Sequence, residues 1–211
     1  MSILGKKSGG LYAGYKDRGG AGKREEEKGV KKIGSRSSQI GRADVFVFSL
    51  EHGTGTSYIA ASIANHMSSL NNGHVSLILE DDEYAEEIVR PEIEVSSWEE
   101  EGEIYAASDV IVRDGGVFED MDTEKHSAMM RATVRILVCR ADGWFFKKLA
   151  RFEESRDNGN MVYLFNQPAT ELERRIYDVM NFTDDVYCLP TFYSKAIPSS
   201  VGHVFQSLLR R

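Results

Sequence analysis

Seven consecutive residues, Glu51-His52-Gly53-Thr54-Gly55-Thr56-Ser57, combine two glycines one residue apart with three hydroxyl side chains. Glycines at that spacing let a bulky anion approach the backbone, and amides at the start of a following helix favour negative charge. On that reading the stretch from Gly53 through Thr54 and Gly55 to Thr56 faces a phosphate. Ser57 then offers its hydroxyl to a magnesium ion, whose waters Asp82 and Asp114 hold. The same residues also read as a tight turn at Gly53 and Gly55 with Ser57 capping the helix. A short glycine loop does not choose between the two.

Other chemistry is sparse. The five histidines (52, 66, 74, 126 and 203) show no pairing with Cys or Glu at zinc-ligand spacing. There is no Gly-x-Ser-x-Gly elbow. Cys139 and Cys188 each sit inside an apolar run and read as core residues of two strands. The acidic stretch Glu99–Glu103 reads as a solvated loop around Trp98.

The elements that must position the glycine loop follow from apolar patterning. Val45–Leu50 is a short apolar run, hence a buried strand, and Ile59, Ile63, Met67 and Leu70 recur after the loop at helical spacing. A second strand is expected over His74–Leu79. A helical turn or two over Tyr84–Val89 is broken by Pro91. A third strand, Asp109–Val112, opens into the loop Arg113-Asp114-Gly115-Gly116. A helix over Thr123–Ala132 leads to a fourth strand, Val134–Val138. Phe145, Leu149 and Phe152 mark the next helix, Met161–Phe165 a fifth strand, Leu172 to Met180 another helix and Val186–Leu189 a sixth strand. Val201, Val204, Phe205, Leu208 and Leu209 make a terminal helix whose apolar stripe covers the sheet. Short apolar strands alternating with longer helices predict an α/β fold: three layers, a mostly parallel sheet with helices on both faces. Right-handed crossovers then gather the strand-to-helix loops at one edge, where a ligand site belongs.

The chain has 211 residues, 41% hydrophobic, with a formal charge of −7. That average conceals two parts. Residues 1–42 hold eleven Lys/Arg and four Asp/Glu, leaving 15 basic and 29 acidic residues in the rest. The expected organisation is a flexible basic tail, 1–42, on an acidic α/β domain, 43–211. The tail is either a solvated tether or, through Tyr12 and Tyr15 among its cations, a contact to an anionic membrane or nucleic acid. The acidic body itself repels phosphates and is a poor nucleic-acid surface. No apolar run reaches membrane-span length, so a cytoplasmic protein is expected, either free or peripheral to the inner face of the membrane.

Residues 43–211 resemble the ParA/MinD family of deviant Walker P-loop ATPases, including its TadZ/CpaE branch. That family's loop reads Lys-Gly-Gly-x-Gly-Lys-Thr/Ser, and Glu51-His52-Gly53-Thr54-Gly55-Thr56-Ser57 aligns with it in register. Glu80-Asp81-Asp82 falls where the family has Asp-x-Asp after its second strand. Asp109–Gly116 is similar to the Walker B strand and switch II. Phe165-Asn166-Gln167 and Leu189-Pro190 are similar to the segments whose Asn and Pro contact adenine. The resemblance therefore implies ATP and magnesium as cofactors, with Gly53, Thr54, Gly55, Thr56, Ser57, Asn166 and Pro190 around the nucleotide and Ser57, Asp82 and Asp114 around the metal.

Two departures cut against those cofactors. Thr56 stands where the family's phosphate-gripping lysine would be, and Glu51 where its cross-dimer signature lysine would be. Each lost cation removes a charge-assisted contact worth about 1.5–3 kcal/mol, and Glu51 adds repulsion. A degenerate P-loop with little or no ATPase activity is expected. It would serve as a scaffold or localisation factor for pilus, secretion or conjugation assembly, with protein partners, as a possible homodimer. Two alternatives stay open: an ATP-dependent dimerisation switch in which Arg113 or Arg140 replaces the lysines, and a partition-type protein that binds DNA through the tail.

Overall fold

The structure is a computed structural model and describes residues 42–70, 73–80, 83, 85–155, 161–180 and 185–209. The expectations for residues 1–41, Asp81 and Asp82 lie outside the described residues.

Seven strands form one sheet: β1 (Ala43–Ser49), β2 (Val75–Ile78), β3 (Glu94–Ser96), β4 (Val110–Val117), β5 (Val134–Cys139), β6 (Met161–Asn166) and β7 (Val186–Leu189). Their order is β3-β2-β4-β1-β5-β6-β7 and every pairing is parallel. Among the described residues the α-helices that cross between or follow them are α1 (Thr56–Ser69), α2 (Ala85–Ile88), α3 (Glu101–Ala107), α4 (Thr123–Arg131), α5 (Gly143–Ser155), α6 (Thr170–Met180) and α7 (Ser199–Leu209).

Period-two alternation in β1 divides the core. Val45 and Val47 face one side, packing with Ile59, Ile63 and Met67 of α1 and Val201, Phe205 and Leu208 of α7. Phe46 and Phe48 face the other, against Ala128 and Met129 of α4, Phe145, Leu149 and Phe152 of α5, and Ile176 of α6. The apolar stripe of α7 is thus spent on the sheet. All seven residues of β1 are buried, as a central strand covered on both faces requires. Asn65 inside α1 is fully buried. Its Nδ2 donates to the carbonyls of Ile88 and Ser194, and its Oδ1 accepts from the Arg90 amide, so one side chain ties two loops to the helix.

Three expectations need correction. Among the described residues there are seven strands, not six: β3 has only three residues, with Glu94 exposed and Val95 and Ser96 half-buried, so it carries no apolar run. The third predicted strand does not open at Arg113; β4 continues through Gly116 to Val117 and regains β1 at Ser49 after a bulge. Nor is Glu99–Glu103 a solvated loop. A 3-10 turn, Trp98–Glu100, leads into α3, and Glu101 is buried.

Strand order fixes where a site can form. From β1 the chain crosses towards β2, whereas from β4 it crosses back towards β5. The loops after β1 and β4 therefore diverge to opposite faces and leave a crevice at the carboxyl ends of the strands.

Candidate functional site: the loop after the central strand

The chain leaves β1 at Ser49, turns through Leu50–Gly55 and enters α1 at Thr56. Gly53 (φ 71°) and Gly55 (φ 89°) both take the left-handed conformation that glycine adopts without steric cost. Gly55 is the N-cap residue of α1. The Asn166 side chain, from the end of β6, lies directly against it and donates from Nδ2 to the Thr54 carbonyl at 3.0 Å. Thr54 and Thr56 are buried, with their hydroxyls 3.0 Å apart. The structure thus brings Gly53, Thr54, Gly55, Thr56, Ser57 and Asn166 together. Pro190 is exposed just past β7, near this group only through sheet pairing, since Asn166 pairs with Leu189 and the Gln167 amide donates to the Leu189 carbonyl.

A Gly55→Ala chain tests the loop's geometry. A Cβ at residue 55 would lie 2.5 Å from Asn166 Nδ2, whereas one at Gly53 meets nothing within 4 Å. Both substitutions carry the left-handed backbone cost of about 1–2 kcal/mol. Only Gly55→Ala also displaces Asn166, so chemical denaturation should show it to be the more destabilising by about 1 kcal/mol, the worth of a lost hydrogen bond.

Asp114 lies in β4 and is fully buried. Its Oδ1 accepts from the Gly116 amide at 3.0 Å, while Oδ2 has no hydrogen-bond partner. The strand is braced there, because the Trp98 indole donates to the Asp114 carbonyl at 3.0 Å. Burial pushes the Asp114 carboxyl above the usual carboxylate range, against weaker opposing pulls from the Ser57 hydroxyl and the Gly116 amide. The folded protein therefore holds this proton more tightly than the unfolded chain. Asp114 contributes its stability below the ordinary carboxylate pKa and loses it as pH rises through the raised value. Asp114→Asn should gain on the unsubstituted chain between pH 4 and pH 8, read from urea midpoints; a pH-independent difference would contradict the assignment.

The cations are disposed differently from expectation. Arg113 is not an edge residue: it is 1% exposed, donates from Nε to Glu101 at 2.8 Å and from Nη1 to Asp44. It has no freedom to take over a phosphate contact, which corrects the reading of Arg113 as a substitute cation. Arg140 is half-exposed at the predicted edge and pairs with Asp142 at 3.1 Å. His52 is exposed, 3.1 Å from Asp120.

Two lysines that sequence reading missed stand beside the loop. Lys148 of α5 lies 3.4 Å from Glu51 Oε1 and donates to the Leu50 carbonyl at 3.3 Å. Lys125 of α4 lies 2.8 Å from Glu80 Oε1, with its ammonium 5.6 Å above the Trp98 ring. Neither carries a local signal, since each meets the site from a helix on the far side of the sheet. The loop and its surroundings line an open pocket of about 240 Å³, bounded among others by Glu51, Gly53, Ser57, Tyr58, Glu80 and Gly116.

Comparison with known structures gives the class of fold. A plasmid partition protein from Borrelia burgdorferi bound to AMPPNP matches over 80% of this chain and 97% of its own, with a TM-score of 0.58 at 12% identity. The MinD cell division protein of Aquifex aeolicus matches over 79% and 87%, with a TM-score of 0.52 at 16% identity. A nucleotide-binding protein from Archaeoglobus fulgidus in complex with ADP, with cobalt found in it, matches over 80% and 89%, with a TM-score of 0.50 at 12% identity. The chain shares with these proteins an α/β, P-loop NTPase-like fold. No protein-family model matches the sequence, and a search of curated proteins returns no match. Among the described residues no helix is long and apolar enough to cross a membrane.

Proposed function

We propose that this chain is a ParA/MinD-like protein that acts as a scaffold or localisation factor without efficient ATP hydrolysis. The observation that carries the reading is the charge of the loop. It keeps left-handed glycines at 53 and 55, yet has Thr56 and Glu51 where cations would grip a triphosphate. Lys148, a cation beside the loop, is occupied by Glu51 and the Leu50 carbonyl. Phosphoryl transfer rests on positioning and charge neutralisation, and this loop supplies little of the second.

Magnesium and ATP meet a divided site. The buried Asp114 carboxyl beside the Ser57 hydroxyl suits a cation shell, and the backbone at Gly53 and Gly55 suits a close phosphate. Two carboxylates, Glu51 and Glu80, line the open pocket there. Those residues do not fit a magnesium triphosphate held for transfer. In this reading residues 43–211 are the working domain and 1–42 its basic tether. The TadZ/CpaE-like branch, the service to a pilus, secretion or conjugation machine and the place at the inner face of the membrane rest on the resemblance of residues 43–211 to that family.

A second reading, a nucleotide-dependent dimerisation switch, draws on the retained glycine geometry and on a similar fold that holds AMPPNP. Light scattering on the full chain separates the two. The scaffold reading expects one mass with and without Mg-ATP and no adenine nucleotide extracted from purified protein; nucleotide-dependent doubling of mass would favour the switch.

A further inference from the structure

Helix α7 closes against α1 around a histidine. His66, in the last turn of α1, has its ring 6.0 Å from that of Phe205, and a Cβ on Gly202 would stand 2.6 Å from its Cε1. Glycine weakens a helix interior, so Gly202 within α7 needs a packing reason, and the imidazole supplies one. His66 Nε2 is buried without a hydrogen-bond partner. The side chains that face the ring are basic: Arg90, from the segment between α2 and β3, and His203 of α7. Arg90 is held in place by donating from Nη2 to the Lys195 carbonyl at 3.1 Å. Glu92 lies 3.9 Å from Arg90 and 3.4 Å from Ser68 Oγ, and among the described residues no acidic side chain pairs with His66.

We propose that His66 is an acid-sensitive latch between α1 and α7: as a neutral ring it fills the notch at Gly202 and lets α7 cover the sheet, and on protonation it loosens that cover. Protonation puts a donor and a charge on a buried nitrogen that has no acceptor, beside two basic neighbours. Burial first, then Arg90 and His203, hold the imidazole below the ordinary histidine range, against a weaker opposing pull from the Gly202 backbone. The unfolded chain therefore takes up this proton more readily than the folded one. The stability that neutral His66 contributes is present above the ordinary histidine pKa and is lost as pH falls towards the lowered value. Loosening α7 bares Val201, Phe205 and Leu208 and the α1 residues beneath them, so acid makes a buried apolar stripe accessible. The latch is independent of the glycine loop and of any nucleotide.

Hydrogen exchange on the full-length chain at pH 7.5 and pH 5.5, corrected for intrinsic rates, tests it. On acidification the amides of Val204, Phe205 and Leu208 should lose protection about tenfold further than those of Val45 and Val47 in β1. His66→Gln, which cannot take up the proton, should remove that excess loss. Imidazole NMR of the unsubstituted chain gives a reading that does not depend on the variant's folding: His66 should titrate below the ordinary histidine range. Equal losses in α7 and β1, the same excess loss in His66→Gln, or a His66 ring that titrates as in an unfolded peptide would overturn the proposal.

Discussion

Replacing Thr56 with lysine is expected to raise the affinity for Mg-AMPPNP about tenfold to a hundredfold, the equivalent of one charge-assisted contact of about 1.5–3 kcal/mol. Thr56 opens α1 immediately after Gly55, so a lysine there starts from the position that lets its ammonium fold back over the loop. Its present hydroxyl is spent on Thr54. The double variant Thr56→Lys with Glu51→Lys should gain more, because it also removes the carboxylate that now lines the pocket. Isothermal titration of each variant against the unsubstituted chain checks this. An affinity that stays flat across all three would mean that the loop's shape, rather than its charge, excludes the nucleotide.

The second large effect concerns Arg113. Its guanidinium lies fully inside the protein between Asp44 of β1 and Glu101 of α3, and Arg113→Met would strand both carboxylates. Breaking a buried ion pair by removing one partner costs about 3–5 kcal/mol. For a domain of this size that corresponds to a fall in Tm of roughly 6–20 °C. Burial already raises the Asp44 carboxyl above its ordinary range, with the Arg113 charge pulling the other way. Loss of Arg113 should therefore leave Asp44 protonated over a wider span and make the melting temperature of the variant recover as pH is lowered. A fall of less than 2 °C at neutral pH would show that the two carboxylates find other partners.

The same cluster explains what the sequence made legible and what it hid. β1 could be read because Val45-Phe46-Val47-Phe48 is continuously apolar, and its central burial follows from that alone. The glycine loop and the start of α1 followed from the spacing of Gly53, Gly55, Ile59 and Ile63. β3 was invisible because an edge strand of three residues with Glu94 and Ser96 needs little apolar surface. Arg113 was misplaced because a strand's end cannot be seen locally. Gly115 and Gly116 suggested a loop, yet β4 runs on beside β1, and that carries Arg113 inward to Asp44. Trp98 and Glu101 belong to the same error. An acidic run looked solvated, but its tryptophan reaches the Asp114 carbonyl and one of its glutamates meets the buried arginine.

The candidate site divides along the same line. Residues contiguous in sequence, from Gly53 to Ser57, were found directly. Asn166 was assigned through its resemblance to an adenine-contacting segment, and the structure sets it against Gly55, bonded to the Thr54 carbonyl. Lys148 lies 97 positions beyond Glu51 and belongs to a helix whose core face alone is legible. Its role in balancing Glu51 emerges only once α5 packs beside the loop.

Phosphate release by the purified full-length chain under saturating Mg-ATP tests the central claim most directly. A loop that keeps its glycine backbone but carries Thr56 and Glu51 should release phosphate no faster than a sample denatured before assay. Sustained, enzyme-proportional turnover that Asp114→Ala abolishes would contradict the account.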